Sequence, residues 1–75
     1  MTGKERKRAE AAILLAISRA GGVSALAELI GVTKGAVSQW DVCPPARVLD
    51  VERITGISRG DLRPDWYPGE GTHGD

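Results

Sequence analysis

The segment from Val23 to Trp40 restricts the fold of this chain most, because its small and apolar residues recur at spacings that suit two short helices meeting at a sharp turn. With Val23 as the first position, Ala27 is fifth, Gly31 ninth, Val37 fifteenth and Trp40 eighteenth, and Leu26, Ile30 and Val32 are also apolar. Ala27 predicts a close crossing that a larger side chain would force apart. Gly31 predicts a left-handed turn residue, a conformation that costs other residues roughly 1 kcal/mol or more. Ser24 predicts the N-cap of a helix from Ala25 to Ile30, and Thr33 that of a second helix from Lys34 to about Asp41. Val37 and Trp40, three residues apart, turn one side of the second helix inward. Its other side is left free.

The flanking sequence supplies the rest of a small bundle. From about Lys4 to Ala20 the pattern is an amphipathic helix with Ala9, Ile13, Ala16, Ile17 and Ala20 in one stripe, stopped by Gly21 and Gly22. Leu15 falls nearly opposite that stripe and needs another partner, either the C-terminal segment or a second subunit. Pro44 and Pro45 end the preceding helix and set up a fourth, through Val48, Leu49, Val51 and Ile54 to Gly56. Ser58-x-x-Asp61 has capping-box spacing, and Pro64 limits the helix it starts to about one turn. Trp66 and Tyr67 fit a hydrophobic clasp folding back onto the helices, or a dimer contact. The sequence thus predicts one all-α domain over residues 1–68, a bundle of four to five short helices, and a disordered tail over 69–75. With three aromatic residues and no Phe, its core is built from Ala, Leu, Ile and Val and is thin, as chains of this length bury only about 60% of their unfolded surface.

Composition narrows the function. Cys43 is the single cysteine, which excludes an intrachain disulfide and a cysteine-cluster metal site and suits a reducing cytoplasm. No stretch reads as a signal peptide or membrane span. There is no carboxylate pair, catalytic triad or phosphate-cradling glycine loop, and His73 has no partnering ligand nearby, so neither an enzyme, a metal, a cofactor nor a small-molecule ligand is expected. The net charge of zero conceals an asymmetry: residues 64–75 hold three acids and no Lys or Arg, leaving ten bases against seven acids in residues 1–63. The folded part is mildly basic, and the free side of the second helix can enter a DNA major groove about 12 Å wide.

On these residues the chain resembles the Cro- and CI-type helix-turn-helix repressors, and especially the small Cro-like group that includes YdaS-type regulators. The resemblance spans roughly Ala20 to Pro68. It rests on LAELIGVTKGAVSQW (residues 26–40), PPARVL (44–49), ITG (54–56) and LRPDWYP (62–68). It implies a lambda-repressor-like bundle whose second motif helix reads bases through Lys34, Gly35, Ser38 and Gln39. Lys34 suits guanine O6 or N7, Gln39 suits adenine N6 and N7, and Ser38 either a base or a phosphate, while Gly35 permits close approach. Ser24, Thr33 and Arg47 are the expected phosphate contacts.

Lys4, Arg6, Lys7 and Arg8 lie outside the matched stretch, and both a DNA-contacting basic arm and a solvated first helical turn remain open for them. Asp41, at the exit of the reading helix, opposes DNA, and Gly35 lowers that helix's own stability by about 1 kcal/mol relative to Ala, so the monomer is expected to bind weakly; few phosphate contacts imply a shallow salt dependence. The expected function is a cytoplasmic repressor that pairs, with or only on DNA, to span a pseudo-palindromic operator. Two alternatives stand beside it: a YdaS-like component of a toxin-antitoxin-type pair, and a helical module that binds a transcription or host factor through Leu15, Trp66 and Tyr67.

Overall fold

A computed structural model describes residues 1–68 as five helices in the order α1 (Gly3–Ala20), α2 (Val23–Ile30), α3 (Lys34–Ser38), α4 (Val48–Thr55) and α5 (Arg59–Leu62), with a 3₁₀ turn (Pro45–Arg47) leading into α4. No strand occurs among the described residues. The expected tail, residues 69–75, and His73 within it lie outside the described residues.

Three glycines in the left-handed region end the long elements: Gly21 after α1, Gly31 after α2 and Gly56 after α4. At the start of α1 a capping box closes the first turn, the Thr2 hydroxyl accepting from the Glu5 N–H and the Glu5 carboxylate from the Thr2 N–H. Its sequence signal, Thr2-x-x-Glu5, lies outside the apolar stripe that predicts this helix.

α1 is the spine. It lies 86° from α2 and packs against α2, α4 and α5. Its buried stripe is Ala9, Ala12, Ile13 and Ala16, so Ala12 joins the expected set, while Ile17 and Ala20 are half-buried toward α2 and α3. The core has two parts. The larger gathers α1, Cys43, Val48, Val51, Ile57 and Leu62; the smaller is Leu26, Ala27 and Val37. Ile17, Ile30 and Trp40 pack against both and join them. Of the apolar residues expected to run along α4, Val48 and Val51 are buried, Ile54 is half-buried and Leu49 is exposed. No single helix is long and apolar enough to cross a membrane.

Polar links close the bundle over long sequence distances. Arg8 Nε donates to Asp61 Oδ1 at 3.1 Å and its Nη2 to the Gly60 carbonyl at 3.1 Å, tying α1 to α5. Arg19 Nη1 donates to the Thr55 carbonyl, one of the acceptors exposed at the end of α4. Arg63 Nη1 reaches the Cys43 carbonyl and its other nitrogens grip Asp65, locking the C-terminal segment to the loop after α3. Asp65 is held below the usual carboxylate range by its hydrogen bond from Arg63.

Candidate nucleic-acid interface

The turn between α2 and α3 is built as its residue types require. Gly31, at φ 77°, donates its N–H to the carbonyls of Ala27 and Glu28, and the Val32 N–H bonds the Ala27 carbonyl at 3.0 Å, which satisfies the end of α2. Thr33 is extended, and its Oγ1 accepts from the Ala36 N–H at 3.1 Å, fixing the first turn of α3. Val37, 1% exposed, then points inward against Leu26 and Ala27. The shared packing fixes how α3 sits on α2.

Lys34, Gly35, Ser38 and Gln39 are all exposed, so α3 brings the four expected base-reading residues onto one free surface. Two details differ from the sequence expectation. The helix ends at Ser38, with Gln39 as its C-cap, rather than at Asp41. Trp40 therefore anchors the core from just beyond the helix, its N–H bonded to the Val37 carbonyl at 3.1 Å.

The expected phosphate contacts are placed less uniformly. Thr33 is exposed at the start of α3. Ser24 is exposed but is not the cap of α2: the helix begins one residue before it, at Val23, and Gly22 occupies the cap without a side-chain bond. Glycine at φ 119° makes that earlier start possible. Arg47 is half-buried at the end of the 3₁₀ turn.

The N-terminal basic residues form the first two turns of α1, and two of the four are held within the fold. Arg8 is the α1–α5 strut. Arg6 pairs with Glu10 at 3.1 Å and with Asp41 at 3.6 Å. The second pair brings a cation beside the acid expected to oppose DNA just after α3, and it places the start of α1 next to the expected reading surface. No local spacing announced it, since the partners are 35 residues apart in sequence. Exposed pairs of this kind contribute only about 0–1 kcal/mol to stability, so the contact matters for local charge more than for folding. Lys4 and Lys7 are exposed.

In the C-terminal segment, Tyr67 packs on the larger core and Arg59 lies over its ring, with Cζ 5.6 Å from the centroid. Tyr67 is thus the clasp. Trp66 is not part of it, remaining 60% exposed, and Leu15 is 48% exposed.

Cys43 is fully buried, and burial pushes its thiol from an ordinary 9.0 up to about 12. The unfolded chain releases this proton above pH 9.0 while the folded chain keeps it to about 12, so folding stability falls as pH rises through that window. Urea-unfolding midpoints should therefore decline across that alkaline range more steeply for the natural chain than for Cys43→Ala. At neutral pH a thiol-reactive dye should label Cys43 only as fast as the chain unfolds. Among the described residues no group of three or more His, Cys, Asp or Glu is placed to hold a metal ion.

A small all-helical domain with an exposed second motif helix is the class defined by this arrangement. The family model described as bacterial toxin YdaS matches residues 13–70, and the chain belongs to that family. The match begins within α1 and runs past the Tyr67 clasp, so it covers more of the N-terminal side than the motifs from Ala20 onward. No curated protein and no solved structure matches the chain.

Proposed function

We propose that the chain is a sequence-specific DNA-binding transcriptional regulator, a Cro-like repressor that uses α3 in the major groove. The observation that carries this reading is the division of α3: Val37 is buried against α2 while Lys34, Gly35, Ser38 and Gln39 stand free together. A helix held by one buried residue and a capped first turn is a rigid presenter of short polar side chains. Lys34 and Gln39 are the two long ones, and each well-formed bidentate base contact is worth about 1–3 kcal/mol of discrimination. So sparse a surface favours two copies acting on two half-sites about 34 Å apart.

A gel shift at low salt, on DNA from around the protein's own gene, tests the proposal. The natural chain is expected to give a specific complex, and the Lys34→Ala/Gln39→Ala double variant to lose roughly 30-fold or more in affinity for that site while retaining its helical circular dichroism. No specific complex, or one that the double variant leaves unchanged, would overturn it.

The family description, bacterial toxin, favours a second reading, a component of a toxin-antitoxin-type pair. The two are separable by expression in a bacterial host. Growth arrest that vanishes with the double variant traces toxicity to DNA occupancy, whereas arrest that persists places it on another surface.

A further inference from the structure

Between the outer face of α1 and the turn joining α4 to α5 runs an open groove of about 1050 Å³. Ala11, Leu15 and Ile57 line its apolar part, and Lys4, Arg8 and Arg19 bring cations to it. Arg8 is held by Asp61, also in the groove, and Arg19 by the Thr55 carbonyl; Glu5 is held in the capping box. The groove is thus a preorganised surface with an exposed leucine in its lining and positive charge along α1. The same chain carries a segment of matching chemistry. Trp66, its most exposed aromatic residue, stands a few residues beyond α5, and residues 64–75 hold three acids, of which Asp65 is held by Arg63, and no Lys or Arg. α1 holds five bases against two acids.

We propose that this groove receives the Trp66 end of a second copy of the chain, and that the exchange is reciprocal. Ser58, the cap of α5, and Asp61 within it wall the groove, and Trp66 stands four residues beyond the end of α5, so α5 carries a wall of the acceptor groove and leads to the donor residue. A two-fold axis passing beside α5 sets each Trp66 over the partner's Leu15, a closed, self-complementary contact. Residues 64–75 of one copy, acidic by sequence, are attracted to the basic helix of the other. A tryptophan buries at most about 250 Å². Even with its neighbours, such a contact falls toward the small end of specific interfaces, below about 1,200 Å² in total. The pairing is accordingly weak, forms at high protein concentration, and is reinforced when two copies share one DNA.

This inference names the pairing surface for the two-copy part of the proposed function, and its test uses no DNA, so failure of DNA recognition is read separately. Sedimentation equilibrium of the full chain is run up to about 1 mM, together with tryptophan fluorescence. The natural chain should reach a monomer–dimer equilibrium with its emission shifting to shorter wavelength as concentration rises. Leu15→Asp and Trp66→Ala, both at exposed positions, should each weaken pairing by at least about tenfold. Mixing the two variants should restore association in part, above that of either variant alone, because the Trp66→Ala copy retains an intact groove and the Leu15→Asp copy an intact Trp66, so one of the two reciprocal contacts re-forms. A natural chain that stays monomeric overturns the proposal, including the case in which Trp66 occupies its own groove. So does a dimer that neither variant weakens, or a mixture with no heterodimer.

Discussion

A Leu26→Ala variant is expected to lose about 2–5 kcal/mol of folding free energy. Leu26 is fully buried and is the largest of the three residues in the smaller core, where α2 and α3 meet. With only Ala27 and Val37 beside it as buried neighbours, and Gly31 and Thr33 fixing the turn, the two helices have little freedom to close over the cavity. A chain of 75 residues has a total stability of about 4–11 kcal/mol, so the loss is a large share of the whole. In urea the unfolding midpoint should drop sharply, and the melting temperature should fall by roughly 8 °C or more. Leu29→Ala is the matched control on the same helix. Leu29 is 57% exposed, and its removal should change stability by no more than about 0.5 kcal/mol. A Leu26→Ala cost as small as that of Leu29→Ala would show that the α2–α3 contact does not hold the motif together.

Leu26 was legible in the sequence as one of the apolar residues that accompany the Ala27, Gly31 and Val37 spacing. Legible in the same way were the caps that act locally: Thr33 on α3, and the glycines that end α1, α2 and α4. What local patterns could not supply were decisions made by distant parts of the chain. Arg8 reads as one more base in a charged N-terminus until α5 brings Asp61 to it across 53 residues. Arg63 is committed to Asp65 and to the Cys43 carbonyl, a link that depends on the loop after α3 folding back. Asp41 looked adverse to DNA because its partner Arg6 sits on another helix. Ser24 misled for a different reason: Gly22, with its unusual backbone, lets the helix start earlier than a side-chain cap would. In the candidate interface the exposure of Lys34, Gly35, Ser38 and Gln39 was legible, because it follows from the burial of Val37 on the other side of α3.

Gly35→Glu offers the sharpest separation of folding from DNA recognition. A side chain at Gly35 meets no atom of the protein closer than Thr33 Oγ1 at 4.0 Å from its Cβ, so the substitution is free of clash in the isolated chain. It replaces a residue that weakens a helix interior by about 0.8–1.0 kcal/mol relative to Ala with a good helix former. It also adds an acid to the first turn of α3, which has none, and acids there are favourable by about 0.3–1 kcal/mol. The variant should therefore be at least as stable as the natural chain toward heat and urea. On DNA the outcome reverses. Gly35 stands between Lys34 and Ser38 on the free surface, where a glutamate would hold the groove floor away and set a negative charge among phosphates. Like-charge contacts of this kind cost several kcal/mol, so specific binding should fall by more than about 100-fold. Gly35→Ala, adding only a methyl, should retain the stability gain and lose less affinity. If Gly35→Glu binds the operator as the natural chain does, α3 does not approach DNA through its first turn. If instead it unfolds, the open space at Gly35 is filled in solution by something other than water.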